Sequence, residues 1–295
     1  MAPRPLVSIG LPTYNRANGY LRATLQSSLN QTYPDIEIIV SDNCSSDNTV
    51  DLVRSHADPR VRYHKQPKTI PMADNFNYCL AQARGAYFLL LPDDDLIDPD
   101  FVDTCMTAAK FATDIGIIRT GARVIDAEGR VTAEYPNRVG GLSTLEFFLG
   151  WFGGKTAPYC CSTLLNTGRF KEVGGFRSRH SLWMDTAALF KLAAPFGRVD
   201  IQDIKASFRK HGDEATFAVK VGAWCEDSLE LLDLMGDMLP EHRQLLRTKG
   251  LPFLAYLCYN KAKAVQAPVG RLAAFFTVFR KFGFRSLPTK DQWRR

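Results

Sequence analysis

Four short apolar segments, separated by longer amphipathic ones, occupy the first 91 positions of this 295-residue chain. They are VSIGLP at 7–12, IEIIVSD at 36–42, VRYH at 61–64 and AYFLLL at 86–91. Short apolar runs rich in β-branched and aromatic residues are typical of buried strands, and the segments between them have the spacing of helices. Because parallel strands need long crossover connections, this alternation predicts βα units on a mostly parallel sheet.

Polar clusters follow three of these predicted strands. PTYNR occupies positions 12–16, Asp42 and Asn43 end the second strand, and three aspartates occupy positions 93–95. In parallel α/β sheets, ligands bind beyond the carboxyl ends of the strands. We therefore expect the three clusters to line one crevice.

The aspartate run calls for a cation. Asp93, Asp94 and Asp95 would repel one another beside an apolar core unless a positive charge lies among them. Helix capping is the alternative explanation, but Asp98 and Pro99 already supply a cap and a first residue for a helix predicted over 100–112. The first strand is followed by neither GxGxxG nor GxxxxGK[ST], so we expect Mn²⁺ or Mg²⁺, held by carboxylates, to bind phosphate groups instead.

Six segments in this order resemble the inverting glycosyltransferases of family 2, which have the GT-A fold. They are VSIGLPTYNR, IEIIVSDNCSSDNT, NYCLAQARGAYFLLLPDDD, GGF, WMDTAALFKLAAPFG and a trailing FRKH, and they extend from residue 6 to about residue 211. The resemblance implies a Rossmann-like, mostly parallel sheet flanked by helices. It also implies an enzyme that transfers a sugar from a nucleotide-diphospho-sugar to a hydroxyl group.

The resemblance assigns nucleotide-binding roles to residues after the first two strands. Pro12, Tyr14 and Arg16 would line the nucleotide pocket, and Asp42 would hydrogen-bond the base. Two structural explanations stay open. Asp42 could simply end a strand and begin a turn, and Arg16 could be an ordinary first-turn residue.

The resemblance also assigns roles around the diphosphate. Asp94 would ligate the metal, Asp93 would face the ribose or the metal, and Asp95 would approach the metal or the sugar. His211 in FRKH would turn toward the metal and the diphosphate, although a lone histidine is often only structural.

Asp185 takes the place of the second residue of the family's Glu-Asp pair and would be the catalytic base, with Met184 where the family has glutamate. A carboxylate exposed on a helix face is the alternative. Trp151, Tyr159 and Trp183 could line an acceptor pocket, and core packing explains them equally well.

The chain divides into a predicted GT-A catalytic domain over 1–214 and a helical region over 215–295. We expect the helices of the second region to be broken at Pro240, Pro252 and Pro268. This region would contact the acceptor, a membrane or a second subunit.

The C-terminal segment is basic and partly apolar. From Arg271 to the end there are seven lysines and arginines and one acid, Asp291, in a chain of formal charge +6. RLAAFFTVFRKFGF at 271–284 could lie in a membrane interface, or it could dock on its own body or on a second subunit. Membrane contact would make a lipid-linked acceptor plausible.

Seven cysteines without a CxxC pair, and an N-terminus without an apolar leader, predict a cytoplasmic protein with reduced thiols. Membrane contact would place it on the inner face of the cell membrane. We expect no nucleic-acid partner.

The predicted function is transfer from a UDP-, GDP- or dTDP-sugar to a glycan or lipid-linked acceptor, by a metal-dependent, inverting, hexosyltransferase-type reaction. The expected setting is surface polysaccharide biosynthesis. Two alternatives stay open, namely a nucleotidyltransferase and a non-catalytic module that binds sugar nucleotides or nucleic acid.

Overall fold

The computed structural model describes residues 4–212, 219–283 and 287. The strands are β1 (Val7–Thr13), β2 (Ile36–Asp42), β3 (Val61–Lys65), β4 (Tyr87–Leu90), β5 (Leu96–Ile97), β6 (Ile117–Ile125), β7 (Val131–Tyr135), β8 (Thr163–Asn166) and β9 (Arg198–Arg209). The helices are α1 (Leu21–Leu29), α2 (Thr49–Arg54), α3 (Met72–Gln82), α4 (Phe101–Ala108), α5 (Thr144–Phe152), α6 (Thr167–Glu172), α7 (Met184–Phe196), α8 (Val221–Met238), α9 (Arg243–Lys263) and α10 (Pro268–Lys281).

One sheet joins all nine strands, in the order β3-β2-β1-β4-β8-β6-β9-β5, with β7 added on β6. The predicted parallel arrangement is found in β3, β2, β1 and β4. Beyond β4 the sheet is mixed, because β8 runs antiparallel to both β4 and β6, while β6 and β9 are parallel. Since β2 and β4 flank β1 on opposite sides, strand order reverses at β1, where α/β sheets bind ligands.

Two apolar clusters cover the two faces of the sheet. Helices α1 and α4 bury Leu25 and Phe101 on one face. On the other face a single cluster joins Phe190 of α7 to Leu232 of α8 and Leu254 of α9. Helices α8 to α10 thus share a core with the sheet, and the division of roles at residue 214 stays a prediction. None of the helices in the described ranges has the length and apolarity needed to cross a bilayer.

The predicted cap of α4 is wrong. Asp100, not Asp98, occupies the N-cap, and the helix begins at Phe101. The carboxylate of Asp98 instead pairs with Arg123 of β6, while its backbone oxygen accepts the N–H of Phe101 at 3.0 Å. The cap of α4 is thus occupied by Asp100, which again leaves no capping role for Asp93, Asp94 and Asp95. Their role must be judged from their own contacts.

Two of the three prolines behave as predicted in the helical region. Pro240 lies in a short 3-10 turn between α8 and α9, and Pro268 is the first residue of α10. Pro252 does not break α9, which continues through it to Lys263. Packing of α9 against α8 and α5 outweighs the one lost backbone hydrogen bond.

Gly85 lies between α3 and β4, where the sequence suggests a left-handed helix cap. That expectation is wrong, because α3 ends at Gln82 and Ala83 is already extended. The position requires glycine for another reason. A Cβ atom on Gly85 would lie 2.6 Å from the carbonyl oxygen of Leu6 and 2.8 Å from the backbone nitrogen of Ser8.

We predict that Gly85→Ala lowers the free energy of unfolding by about 2–3 kcal/mol, because the new methyl group collides with backbone atoms that belong to β1 or adjoin it. Denaturation in urea measures this change. The matched control is Gly168→Ala on the exposed side of α6, where an added Cβ meets no atom closer than 3.7 Å. Equal stability of the two variants would contradict the steric explanation.

Candidate active site at the carboxyl ends of the strands

The first and third polar clusters meet beyond β1 and β4. The hydroxyl of Thr13 donates to the Oδ2 atom of Asp93 at 2.7 Å. Burial raises the pKa of Asp93 to about 6, and the charge of Asp94 adds to this shift, while that of Arg16 opposes it. The structure therefore brings Asp93 beside the loop that carries Arg16.

The second cluster joins them through the sheet register. Asp42 lies opposite Thr13, and the N–H of Asn43 donates to the Thr13 carbonyl at 2.8 Å. Asp42 is fully buried, and its carboxylate accepts the Ser45 N–H at 2.8 Å and the Tyr63 hydroxyl at 2.5 Å. These bonds support a structural role for Asp42, and its hydrogen bond to a base stays a prediction.

The loop after β1 carries the other predicted nucleotide contacts. Pro12 is buried within β1, whereas the Tyr14 side chain is 49% exposed and Arg16 is half-buried. Asn15 adopts φ of 53° and its N–H donates to the Ser45 hydroxyl at 2.8 Å. This turn points the chain outward, so that Tyr14 and Arg16 lie at the surface of the crevice.

Asp94 and His211 come together although 117 positions separate them. The His211 Nε2 atom lies 2.9 Å from Asp94 Oδ2, and the His211 ring packs against Tyr20 with centroids 5.1 Å apart. Over the described parts of the chain, no three His, Cys, Asp or Glu side chains form a ready metal cluster. A carboxylate and an imidazole nitrogen nevertheless fit Mn²⁺ or Mg²⁺, since such ions usually complete their shell with substrate phosphate oxygens and water.

Asp95 has a structural role that the local sequence does not indicate. It is fully buried, and its Oδ1 atom accepts the backbone N–H of Arg209 at 2.9 Å. Its carbonyl oxygen accepts the Thr24 hydroxyl of α1 at 2.9 Å. Burial raises the pKa of Asp95 well above its usual range, with the charge of Asp94 as a second cause. Asp95 thus ties α1, β4 and β9 together, and its contact with metal or sugar stays a prediction.

Asp185 lies half-buried in the first turn of α7. Its Oδ1 atom accepts the N–H of Thr186 at 2.7 Å, and burial raises the pKa of Asp185 to about 6. Burial also raises the pKa of the Cys160 thiol, and the charges of Asp185 and Asp94 raise it further. The short 3-10 turn Cys160–Ser162 contacts α7 as well as β4 and β5, the two strands between which the aspartate run lies.

The sequence model of the family described as Glycosyl transferase family 2 matches residues 8–160, more than half of the chain. The chain belongs to this family. The match contains β1 to β4 and the aspartate run, and it ends at Cys160, before Asp185 and His211.

Curated relatives match only in part. The chondroitin synthase of Escherichia coli is 34% identical over 129 residues, which cover 43% of this chain and 18% of that protein. The hyaluronan synthase of Pasteurella multocida is 33% identical over 131 residues, covering 44% and 13%. An uncharacterized glycosyltransferase of Rickettsia bellii is 36% identical over 201 residues, covering 64% and 27%. The chain thus spans less than a third of the length of each of these relatives.

Solved structures of glycosyltransferases share the fold. Residues 1–349 of TarS from S. aureus superpose with a TM-score of 0.66 at 14% identity, covering 95% of this chain and 82% of that one. A complex of the same protein with UDP-GlcNAc gives 0.60 at 14% identity, covering 94% and 89%. The mannosyltransferase PcManGT of Pyrobaculum calidifontis, in complex with GDP-Man and Mn²⁺, gives 0.56 at 17% identity, covering 99% and 83%. This family 2 chain therefore has the GT-A fold, with the mixed sheet and the helical C-terminal region.

A buried carboxylate of α8 braces the loop before Asp185, which sequence reasoning missed. The Asp227 carboxylate accepts the Ser178 hydroxyl and the backbone N–H groups of His180 and Leu182, at 2.9, 2.9 and 3.0 Å. One feature of the sequence could have revealed this role. Asp227 and the following serine lie on the otherwise apolar face of α8 that contains Trp224 and Leu231. A carboxylate buried there destabilises the fold unless it accepts hydrogen bonds.

The three aromatic side chains considered for an acceptor pocket mainly contact other side chains of the protein. Trp151 is buried against Phe190 and Phe253, with centroid distances of 5.5 and 5.1 Å. Tyr159 is stacked on Phe208 at 4.4 Å. Trp183 donates its indole N–H to the hydroxyl of Ser228 on α8 at 2.9 Å, so it too helps to anchor the loop before Asp185.

We predict that Asp227→Ala destabilises this family 2 protein by about 3 kcal/mol, because it leaves three donors without their charged acceptor. Thermal and urea unfolding measure the loss. Asp233→Ala, on the exposed side of α8 where Asp233 pairs with Arg247, is the matched control and should cost less than about 1 kcal/mol. A similar loss of unfolding free energy in both variants would show that Asp227 does not stabilise the loop before α7.

Proposed function

We propose that this chain transfers a sugar from a nucleotide-diphospho-sugar to a hydroxyl group of a glycan or lipid-linked acceptor, in surface polysaccharide biosynthesis. The observation that carries the proposal is the contact between His211 and Asp94 beyond the strand ends of a family 2 fold. The names of the relatives support it, since two of them are chondroitin and hyaluronan synthases.

The proposed donor is a UDP-, GDP- or dTDP-sugar bound beyond β1 and β2. The exposed ring of Tyr14 and the half-buried Arg16 would contact the nucleotide, and Pro12 would shape the floor of the pocket. Asp42, held by Tyr63, would select the base. Structures of similar fold were solved with UDP-GlcNAc and with GDP-Man, which supports this class of donor.

The proposed cofactor is Mn²⁺ or Mg²⁺, held by Asp94 and His211 with Asp93 or Asp95 nearby. When bound, the ion would neutralise charge on the diphosphate of the donor. Asp94 and His211 would orient that diphosphate, and Arg16 would add a further positive charge beside it. Manganese in the PcManGT complex supports a divalent ion in this fold.

Asp185 is the proposed catalytic base of an inverting, hexosyltransferase-type reaction. Its carboxylate would take the proton of the acceptor hydroxyl while the oxygen attacks the anomeric carbon. The bond from that carbon to the diphosphate oxygen breaks on the opposite face, the nucleoside diphosphate leaves, and the anomeric configuration inverts. A pKa of about 6 suits the role, because the group is ionised at neutral pH and still basic enough to accept the proton.

We predict that one of UDP, GDP or dTDP stabilises the protein only when Mn²⁺ or Mg²⁺ is present. At a hundredfold excess of nucleotide over its Kd, the gain should be about 2.7 kcal/mol. Thermal-shift measurements with each nucleotide and metal test this. Asp94→Asn should abolish the gain, whereas the control Asp100→Asn at the cap of α4 should keep it.

Two other experimental results would replace the proposal. Release of pyrophosphate from a nucleoside triphosphate would indicate a nucleotidyltransferase. Stabilisation by oligonucleotides that weakens steeply with salt would indicate a nucleic-acid binding module.

We predict that Asp185→Asn lowers kcat by about 10²–10⁴-fold, because the acceptor hydroxyl loses its base. Wild-type activity should fall as the pH drops through about 6, where Asp185 becomes protonated. Initial rates with the donor found in the nucleotide screen measure both effects. The exposed Asp203 of β9 provides the control Asp203→Asn, and equal activity of both variants would rule out Asp185 as the base.

The same substitution should stabilise the protein. Because burial raises the folded-state pKa of Asp185, its ionised form opposes folding. This cost is absent below about pH 4, grows as the pH rises to about 6, and is fully present above that. Asp185→Asn should therefore be about 1–2 kcal/mol more stable than wild type at pH 7, after allowance for partial exposure, and similar to it near pH 4. Unfolding measured at both pH values checks the sign.

A further inference from the structure

A long stretch of the C-terminal region contains cations and no acids. From Arg243 to Lys290 the sequence has ten lysines and arginines and not one aspartate or glutamate. Within the described residues this stretch forms α9 and α10. Residues 284–286 and 288–290 lie outside the described part, and the cations up to Lys281 lie within it.

Helix α10 presents apolar side chains on two sides. Phe275 and Val278 are buried within the core shared with α8 and α9. On another side, Val269, Leu272 and Phe276 are 81%, 60% and 60% exposed. Their spacing of three and four residues places them in one row along the helix. A row of large exposed apolar side chains on a soluble surface indicates a binding surface.

Arginines accompany this row. Arg280 is exposed one turn beyond Phe276, and the partly exposed Arg271 flanks the row, about 100° around the helix from Leu272. Within the described ranges neither arginine has a carboxylate partner within 4.0 Å, whereas Lys281 pairs with Glu226. We call the surface formed by Val269, Arg271, Leu272, Phe276 and Arg280 the α10 surface.

We propose that the α10 surface binds the surface of an anionic phospholipid membrane, with the helix lying in the interface. The apolar row would enter the boundary between headgroups and acyl chains, and Arg271 and Arg280 would contact lipid phosphates. A second copy of the chain fits less well. A two-fold contact would bring the same cationic stretch of each copy together, with no acid in that stretch to pair with.

The α10 surface is linked to the candidate active site through two contacts. Lys281, at the end of α10, donates to Glu226 of α8 at 2.8 Å, and Glu226 also lies 2.8 Å from the His180 ring. His180 belongs to the loop that Asp227 holds in front of Asp185. If the proposed function is correct, on which this step rests, the surface would bring Asp185 close to an acceptor anchored in the same membrane.

Co-sedimentation of the full chain with vesicles tests the proposal. We expect binding to vesicles of phosphatidylcholine mixed with phosphatidylglycerol, and little binding to phosphatidylcholine alone. Leu272→Ser combined with Phe276→Ser should weaken binding about tenfold or more. Arg271→Gln combined with Arg280→Gln should do the same, with reduced dependence on salt. Because these side chains are exposed or partly exposed, thermal unfolding should match wild type.

Two control variants change exposed residues elsewhere on the protein. Val131→Ser on β7 matches the apolar substitutions, and Lys110→Gln after α4 matches the arginine substitutions. Both variants should bind vesicles as wild type does. Equal binding by the α10 variants, or no preference for anionic vesicles, would overturn the proposal. So would a dimer in sedimentation velocity that Leu272→Ser with Phe276→Ser dissociates. Vesicle binding does not require sugar transfer. The membrane proposal can therefore hold if the nucleotide screen fails, and it can fail if the nucleotide screen succeeds.

Discussion

The hydrogen bond from the backbone of Arg209 to the buried carboxylate of Asp95 holds the candidate site together. It fixes the end of β9 against the turn after β4, although the two are 114 positions apart. The Arg209 side chain adds a bond to the Asp94 carbonyl at 2.9 Å and stacks over Tyr20 at 4.3 Å. Only with β9 in this position can His211, two residues further along, reach Asp94. The most buried aspartate of the run thus places the ligands proposed for the metal.

The other half of the site depends on the C-terminal helices. The loop before α7 has few regular hydrogen bonds of its own, and Asp227 supplies three acceptors for it. A buried carboxylate bonded by three donors is well satisfied, and removing it would leave those donors unpaired. Helix α8 therefore packs as part of the same body as the sheet, because it holds the loop that leads into α7. The proposed division of roles at residue 214 concerns function rather than packing.

Much of the fold was readable from local patterns, and the rest depended on distant contacts. Strands β1 to β4 and the crevice at their ends follow from apolar alternation and polar strand ends, which are local properties. The cap of α4 was predicted wrongly because Arg123, 25 positions away, draws the Asp98 side chain from the helix end. Local sequence suggests a helix cap at Gly85, but the glycine is needed because a side chain there would collide with the backbone of Leu6 and Ser8. The bracing role of Asp227 was missed because its partners lie 45 to 49 positions earlier.

Two carboxylates in the crevice, Asp93 and Asp185, have pKa values raised to about 6 by burial. At neutral pH both side chains are ionised, and their ionised forms lower the free energy of unfolding. A neutral side chain at either position would make the fold more stable. Burial raises the pKa of Asp95 as well, but Asp95 differs in that its hydrogen bonds to Arg209 and Thr24 tie three elements together. Carboxylates that destabilise a fold without bracing it are the ones expected to serve a ligand or a proton. This physical argument supports the proposed roles of Asp93 at the ribose or the metal and of Asp185 as the base, which stay predictions.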